Sequence, residues 1–422
     1  MKLDFSHFSM DMSATKMLDL APQAQASLDH FIKLHKQGEF AFSKSSAPRD
    51  DIDAILTEWA HYFQQFDEVI VFGTGGSSLG GQALQDMRPA GSDEIKLSII
   101  TNIDPAHFDH AMREKDWTKT GIIAISKSGE TPETLMQLLT VLPLMRRSMD
   151  QSAIKKHILL ISMKGDNSMR QLAAREDFPI LDHPSDLGGR YSVLSLVGLL
   201  PAMIVGIDPK SLRAGAQDML ERLLEHPKAS SNPIAFPAGL LSNFAQSGKM
   251  SGQVMLCYSD RLGSLARWHR QLWAESLGKN GHGTTPIYGT GPVDQHSQLQ
   301  LWLDGPNDKF YTILGAPLKK SSLRVESEAL KSLDNIAYVK GRSLGELMEF
   351  SRQATVECLI ERKRPTRTII LSSMQEEAIG SLLMYFMIET VLCAFMQGDD
   401  PFDQPAVERG KLLIKSLMAA RD

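Results

Sequence analysis

The chain has 422 residues, 42% hydrophobic and 23% charged, which is the balance of a folded globular protein and excludes a disordered tail, a collagen-like fibre and a small disulfide scaffold. At roughly 100–200 residues per domain it divides into two or three domains. The 45 Lys plus Arg against 50 Asp plus Glu give a net charge of −5, so nothing draws the whole surface toward nucleic acid or an anionic membrane.

In chain order, the N-terminus (MKLDFSHFSMDMSATKMLDL) is interrupted by acidic residues and has no apolar signal core. Residues 1–50 read as a helical N-terminal segment. Short apolar runs at 69–72, 96–103, 121–125 and 157–163 suit buried strands, and the stretch 134–149 between them has helical periodicity. Buried runs of this length alternating with helices argue for a parallel sheet covered on both faces. The most apolar run, 197–207, is too short to span a bilayer and contains Pro201 as a breaker. KASSNPI at 228–234 is the best interdomain punctuation. Beyond it, strands are predicted at 253–258, 310–314 and 366–371, and helices at 261–278, 343–363, 375–397 and 409–420. The expected organisation is α/β: an N-terminal segment (1–50), two lobes (51–227 and 228–400) and a C-terminal segment (401–422). Cys257, Cys358 and Cys393 are far apart and odd in number; they read as buried apolar residues of a reducing cytoplasm, and a cytoplasmic location is expected.

Six segments carry candidate chemistry. GTGGSSLGG at 73–81 directly follows a strand, where glycines let backbone N–H groups approach an anion and a helix starting near Ser78 adds its positive end. A dinucleotide fingerprint would need glycine where Ser78 stands, and a P-loop would need a lysine that is missing. SKSGETPET at 126–134 places three hydroxyls and one ammonium ahead of a helix capped by Thr131 with Pro132 at its first position. Such a loop holds a phosphate dianion, or is an ordinary capped turn; two of them at one carboxyl edge favour the first. DLGGRYSV at 186–193 presents Arg190, expected to be exposed beside a flexible backbone; a surface salt bridge is the plain alternative. QLWAESLGK at 271–279 sets Gln271 and Glu275 on one helical face, with Glu275 near a helix end whose dipole disfavours a carboxylate, as suits a proton-abstracting base. DQHSQ at 294–298 holds His296, and PFDQPAVERGK at 401–411 holds Gln404 and Lys411; a structural histidine and a solvated lysine are the plain readings. His107 and His110 fit no metal-ligand pattern.

Taken together, in this order, the six segments resemble the phosphoglucose isomerase family, from Gly73 to Lys411. The segments at 186–192 and 402–411 are similar to that family's two signatures. The resemblance implies two SIS domains, each a flavodoxin-like, mainly parallel sheet sandwiched by helices, with helical segments at both ends. It implies reversible conversion of glucose 6-phosphate and fructose 6-phosphate, in glycolysis and gluconeogenesis, with no metal and no organic cofactor. Residue by residue, Glu275 matches the base, His296 and Lys411 the groups that assist ring opening, and Arg190 the arginine that stabilises the enediolate. Ser77, Ser126, Lys127, Ser128 and Thr131 match the phosphate loops, and Gly76, Gln271 and Gln404 further substrate contacts. It also implies a homodimer with His296 supplied across the interface, a hexose 6-phosphate as ligand, and neither nucleic acid nor membrane as partner. Two positions depart from the pattern. Ala406 stands where glycine is common. Glu130 stands where threonine is frequent, and a carboxylate beside a phosphate weakens binding unless it points away. A non-catalytic sugar-phosphate sensor built on the 126–134 loop is the alternative, and it leaves Glu275, Arg190, His296 and Lys411 without a joint purpose; a nicotinamide-dependent oxidoreductase is the third reading.

Overall fold

Alternation of apolar strands with helices builds two parallel sheets in the computed structural model, which describes residues 1–4, 14–88, 95–318 and 323–420, with side chains described for Met1 and from Pro22 onward. Residues 5–13 of the expected N-terminal segment and 421–422 of the C-terminal one lie outside the described residues. The strands are β1 (Lys2–Asp4), β2 (Glu68–Phe72), β3 (Lys96–Ile100), β4 (Thr120–Ile125), β5 (Ile158–Ser162), β6 (Ile180–Asp182), β7 (Gly252–Tyr258), β8 (Thr285–Thr290), β9 (Lys309–Gly315) and β10 (Thr366–Ile370).

The first sheet has the order β3-β2-β4-β5-β6, with every pairing parallel. This is the 2-1-3-4-5 order of flavodoxin-like sheets, in which the strand order reverses between the first and third strands and opens a crevice at their carboxyl ends. Those strands are β2 and β4, and the 73–81 and 126–134 segments leave from their ends. The second sheet, β1-β10-β9-β7-β8, repeats the arrangement. Its fifth place is taken by β1, antiparallel to β10 through Lys2↔Ile370, Leu3↔Ile369 and Asp4↔Thr368. The N-terminal segment, helical over Ala14–Lys36 and Ala41–Lys44, thus also contributes a strand.

Strands covered on both faces are largely apolar, and β4, β5 and β7 are buried at every residue. The period of two then sorts the core. Val69, Val71, Ile123 and Ile125 join Met255, Cys257, Phe310 and Ile369 in one cluster between the two sheets. Ile70, Phe72, Ile122 and Ala124 face an outer cluster, and Val254, Leu256 and Tyr258 face the other. The helix Glu376–Gln397 runs through the central cluster, buried from Ile379 to Ala394. It is the one described helix long and apolar enough to cross a membrane, and 83% of that window is buried inside the protein. Pro201 does not break its segment: Leu196–Ile204 is one short buried helix with the proline inside. Cys257 and Cys393 are buried as expected and Cys358 is half-buried, all as free thiols.

Candidate functional site

The site is assembled where the helix Gly263–Leu277, from the second lobe, packs its C-terminal end against the carboxyl edge of the first sheet. After β2 the chain turns through Gly75 at φ +57°, a left-handed conformation that glycine adopts freely. A short 3-10 turn, Gly75–Ser77, leads into the helix Leu79–Asp86. Gly76 lies against Gly189: a Cβ added to Gly76 would stand 2.2 Å from the Gly189 carbonyl carbon. No side chain fits there, so the 73–81 and 186–193 loops meet backbone to backbone. A Cβ on Gly75 would meet Gln271 Nε2 at 2.9 Å, which places Gln271 directly over this loop.

The approach of Gly76 and Gly189 carries Arg190 inward. Its guanidinium was expected at the surface but its side chain is only 2% exposed, because the 401–404 turn and the end of the Gly263–Leu277 helix close over it. Nε donates to Ser276 Oγ at 2.9 Å, Nη1 to Glu275 Oε2 at 3.2 Å and Gln404 Oε1 at 2.9 Å, and Nη2 to the carbonyls of Pro401 at 2.6 Å and Asp403 at 2.9 Å. Gln271 Nε2 donates to the other Glu275 oxygen at 2.9 Å. Four sequence candidates, Arg190, Gln271, Glu275 and Gln404, are thus joined in one hydrogen-bonded cluster. The helix carrying Glu275 stops where expected, with the Gly278 N–H donating to the Ala274 carbonyl at 2.9 Å.

The second loop leaves β4 beside this cluster. Ser126 Oγ and Thr131 Oγ1 are 2.8 Å apart, and the Gly129 N–H donates to Ser126 Oγ at 3.1 Å. Thr131 occupies the N-cap position of Pro132–Met145 with Pro132 first, as expected, but its hydroxyl makes no capping bond; it is turned toward Ser126 instead. Ser128 Oγ accepts from the Glu130 N–H at 3.2 Å. Lys127 is half-buried, and burial with the nearby Arg190 charge lowers its pKa while Asp186 opposes the shift. Glu130 points away from the loop mouth: its oxygens accept from Ser168 N at 2.7 Å and Ser168 Oγ at 3.0 Å, at the start of the helix Ser168–Glu176. Ser77 is half-buried on the first loop, and Ala406 is exposed on the 405–407 turn.

His296 and Lys411 are not joined to the cluster within one chain. His296 is exposed on the short helix Val293–Ser297, and among the described residues no hydrogen bond or ion pair involves its side chain. Lys411 pairs with Glu408 at 2.6 Å on the exposed helix Glu408–Ala419. One turn on, Lys415 comes within 3.9 Å of Glu130, so this helix reaches the second loop.

Several supporting residues escaped the sequence reading. Ser276 receives Arg190 Nε and lies 3.1 Å from Tyr191 Oη; burial pushes the Tyr191 phenol up to about 12. Lys279 bonds the Asp400 carbonyl and the Asp403 carboxylate, which pins the turn that supplies Gln404. Ser276 and Lys279 flank Glu275 in the 271–279 segment, but a position beside a candidate base carries no signal of what will fold against it.

A family model described as phosphoglucose isomerase matches residues 49–421. Over 379 residues the chain is 34% identical to a protein of Methanococcus maripaludis named probable glucose-6-phosphate isomerase, spanning 89% of this chain and 83% of that one. It is 33% identical over 354 residues to the glucose-6-phosphate isomerase of Rubrobacter xylanophilus, spanning 82% and 81%. A crystal structure of a hypothetical protein from Thermus thermophilus superposes with a TM-score of 0.88 at 26% identity over 99% of both chains. The glucose-6-phosphate isomerase of Chlamydia trachomatis shares the fold, with a TM-score of 0.76 at 20% identity over 90% of this chain and 78% of that one.

Proposed function

The chain belongs to the phosphoglucose isomerase family, enzymes of sugar-phosphate isomerisation, and from that membership we propose that it interconverts glucose 6-phosphate and fructose 6-phosphate, the aldose–ketose step shared by glycolysis and gluconeogenesis. The observation that carries the proposal is the Arg190–Glu275–Gln271–Gln404 cluster at the switch point of the first sheet, beside a loop rich in hydroxyls.

Aldose–ketose exchange needs the open chain, because the cyclic sugar hides its carbonyl. One group takes the proton of the ring hydroxyl while another protonates the ring oxygen; His296 and Lys411 share that work. Glu275 then removes the proton next to the carbonyl and returns it to the neighbouring carbon, while the hydroxyl proton passes from one oxygen of the intermediate to the other. The enediolate between these steps carries charge on oxygen, and Arg190 is a fixed cation already oriented by its other four bonds, so little reorganisation is needed as that charge develops. Ser77, Ser126, Lys127, Ser128 and Thr131 hold the phosphate, with Gly76, Gln271 and Gln404 against the sugar. Binding the phosphate, remote from the reacting carbons, aligns them with Glu275.

The acting unit in this reading is a homodimer in which His296 comes from the neighbouring subunit. What supports it is the exposure of His296, away from the cluster in its own chain, together with apolar side chains left in solvent: Leu412, Leu413, Leu417 and Met418 on the last helix, and Tyr338 and Leu344 in the second lobe.

Purified protein supplied with fructose 6-phosphate, glucose-6-phosphate dehydrogenase and NADP is expected to reduce NADP. Binding of fructose 6-phosphate without turnover would instead make the protein a sensor. Co-refolding inactive Glu275→Gln with inactive His296→Ala subunits is expected to restore partial activity through hybrid dimers; no restoration would place the histidine in the same subunit or outside the reaction.

A further inference from the structure

Asp399 takes no part in the mechanism above, yet its side chain is only 1% exposed and it stands two residues before the 401–404 turn that closes over Arg190. It follows Gly398, the left-handed residue (φ +79°) that ends the helix Glu376–Gln397, and its own N–H donates to the Ala394 carbonyl at 3.0 Å. The backbone of Asp399 is thereby fixed to the end of the helix that runs through the central cluster. A carboxylate enclosed there needs partners, and both of its oxygens have one. Oδ1 accepts from Asn280 Nδ2 at 2.6 Å, and Oδ2 lies 3.0 Å from His282 Nδ1. A carboxylate only accepts, so Nδ1 carries the hydrogen.

Both partners come from one short loop, 279–282, which begins just past the helix carrying Glu275 and is closed on itself by the His282 N–H donating to the Lys279 carbonyl at 2.7 Å. Lys279, from the same loop, reaches the Asp400 carbonyl and the Asp403 carboxylate. Three consecutive side-chain grips, from Lys279, Asn280 and His282, therefore hold the 399–403 stretch. The same stretch also holds Arg190, through the carbonyls of Pro401 and Asp403 and through Gln404 just beyond. The Phe402 ring packs 5.2 Å from the ring of Tyr191, next to that arginine. Arg190 itself touches Glu275 once, at 3.2 Å, and the neighbouring Ser276 once, at 2.9 Å. Much of what keeps the arginine and the carboxylate in register thus runs outside the cluster, through the loop behind Glu275 and the turn over Arg190.

We infer that Asp399 is a positioning residue: by gripping Asn280 and His282 it locks the 401–404 turn to the loop behind Glu275, and so sets the spacing between the Arg190 guanidinium and the Glu275 carboxylate. The lock is made in the free protein, so the two charged groups need little rearrangement when a ligand arrives. This deepens the sugar-phosphate reading and rests on it for the reaction, although the lock itself is independent of any ligand.

The test uses the full-length protein and Asp399→Ala. Steady-state turnover of fructose 6-phosphate, calorimetric titration with inorganic phosphate and, without ligand, the nitrogen-15 signals of the Arg190 guanidinium are measured on each. In Asp399→Ala kcat is expected to fall about 10- to 100-fold, the effect of a small displacement of the reacting groups, with KM within about threefold and phosphate affinity within about twofold, because the 126–131 loop is untouched. The two Arg190 Nη signals, distinct while the guanidinium is held, are expected to merge. A lowered melting temperature with unchanged kcat and distinct Nη signals makes Asp399 a support of the fold alone and overturns the inference; so does a loss of phosphate affinity as large as the loss of kcat. Should Asp399→Ala fail to fold, the half-exposed His282 decides. His282→Leu removes one of the two bonds and is expected to lower kcat about three- to tenfold, and His282→Asn, which returns a donor near the Nδ1 position, to recover most of it; unchanged kcat in His282→Leu, or no recovery in His282→Asn, overturns the inference. Wild-type protein that binds phosphate but never converts fructose 6-phosphate refutes the proposed reaction, and the Arg190 Nη signals then decide the role of Asp399 by themselves.

Discussion

Two of the arginine–glutamate pairs among the described residues, Arg367–Glu389 and Arg190–Glu275, have a buried arginine and are built in opposite ways. Arg367 on β10 and Glu389 in the helix Glu376–Gln397 are both fully buried. Glu389 is closed on both oxygens: Arg367 Nη1 and Tyr385 Oη (2.9 Å) reach one and Arg367 Nη2 (2.9 Å) the other, while Arg367 Nε donates to Thr312 Oγ1 at 2.8 Å. Arg190 and Glu275 share a single contact of 3.2 Å, and the rest of that arginine is tied to Ser276, Gln404 and two carbonyls. Glu275 keeps 29% of its side chain exposed. A pair sealed from solvent leaves a ligand no approach and serves packing, whereas one whose carboxylate stays part-exposed holds its arginine rigid and leaves that carboxylate within a ligand's reach. Residue type alone does not separate the two; what remains exposed does.

The hardest blow to this contrast is at Glu275. Glu275→Gln removes the proposed base and is expected to lower kcat about 100- to 10,000-fold while the melting temperature barely moves; unfolding by this variant would mean the two pairs are alike. The converse change, Glu389→Gln, leaves Arg367 buried without its counter-charge, and should cost about 3–5 kcal/mol of stability, read by denaturant titration, with KM unchanged in the protein that remains folded. Arg190→Lys keeps the charge but not the fork, and should lower kcat about 100- to 1,000-fold with a smaller loss of stability than Glu389→Gln.

Acid sharpens the comparison further. Burial, with the Arg367 charge added, pushes His269 down to about 3, and burial with Lys127 pushes His183 down to about 4, from 6.5. Below pH 6.5 the unfolded chain takes up protons that the folded one refuses, so stability falls as pH drops from 6.5 toward these values and is unaffected above. For His183 the loss amounts to about 3 kcal/mol, and it is somewhat larger for His269. Denaturant midpoints across this range should decline less steeply in His269→Phe than in the wild type. The smallest effect belongs to Glu130→Ala, which strips two bonds from the start of Ser168–Glu176 and should cost about 1 kcal/mol, a typical helix-cap loss, seen as a small drop in melting temperature.

Much of the architecture is legible because parallel strands buried on both faces leave a plain apolar signal, as 69–72 and 121–125 do. Strands at the margins do not: β8 contains Pro286 and Gly289, which blur a strand pattern, while β1 and β6 have three residues each. The glycine and hydroxyl loops are legible from their composition. The burial of Arg190 is not, since it depends on Gly76 meeting Gly189 and on the 401–404 turn arriving from the far end of the chain. Thr131 and Glu130 show the same limit: local rules give a cap and a nearby negative charge, and tertiary partners, Ser126 and Ser168, redirect both.

The antiparallel pairing of β1 with β10 bears on how the polypeptide matures on the ribosome. The strands of the first sheet follow one another from Glu68 to Asp182, so that half can settle while the remainder is still being made. The other half waits for Ile370 to emerge before Lys2 finds its neighbour; closing so long a span is slow, and until then the nascent second sheet offers an unpaired border to other molecules.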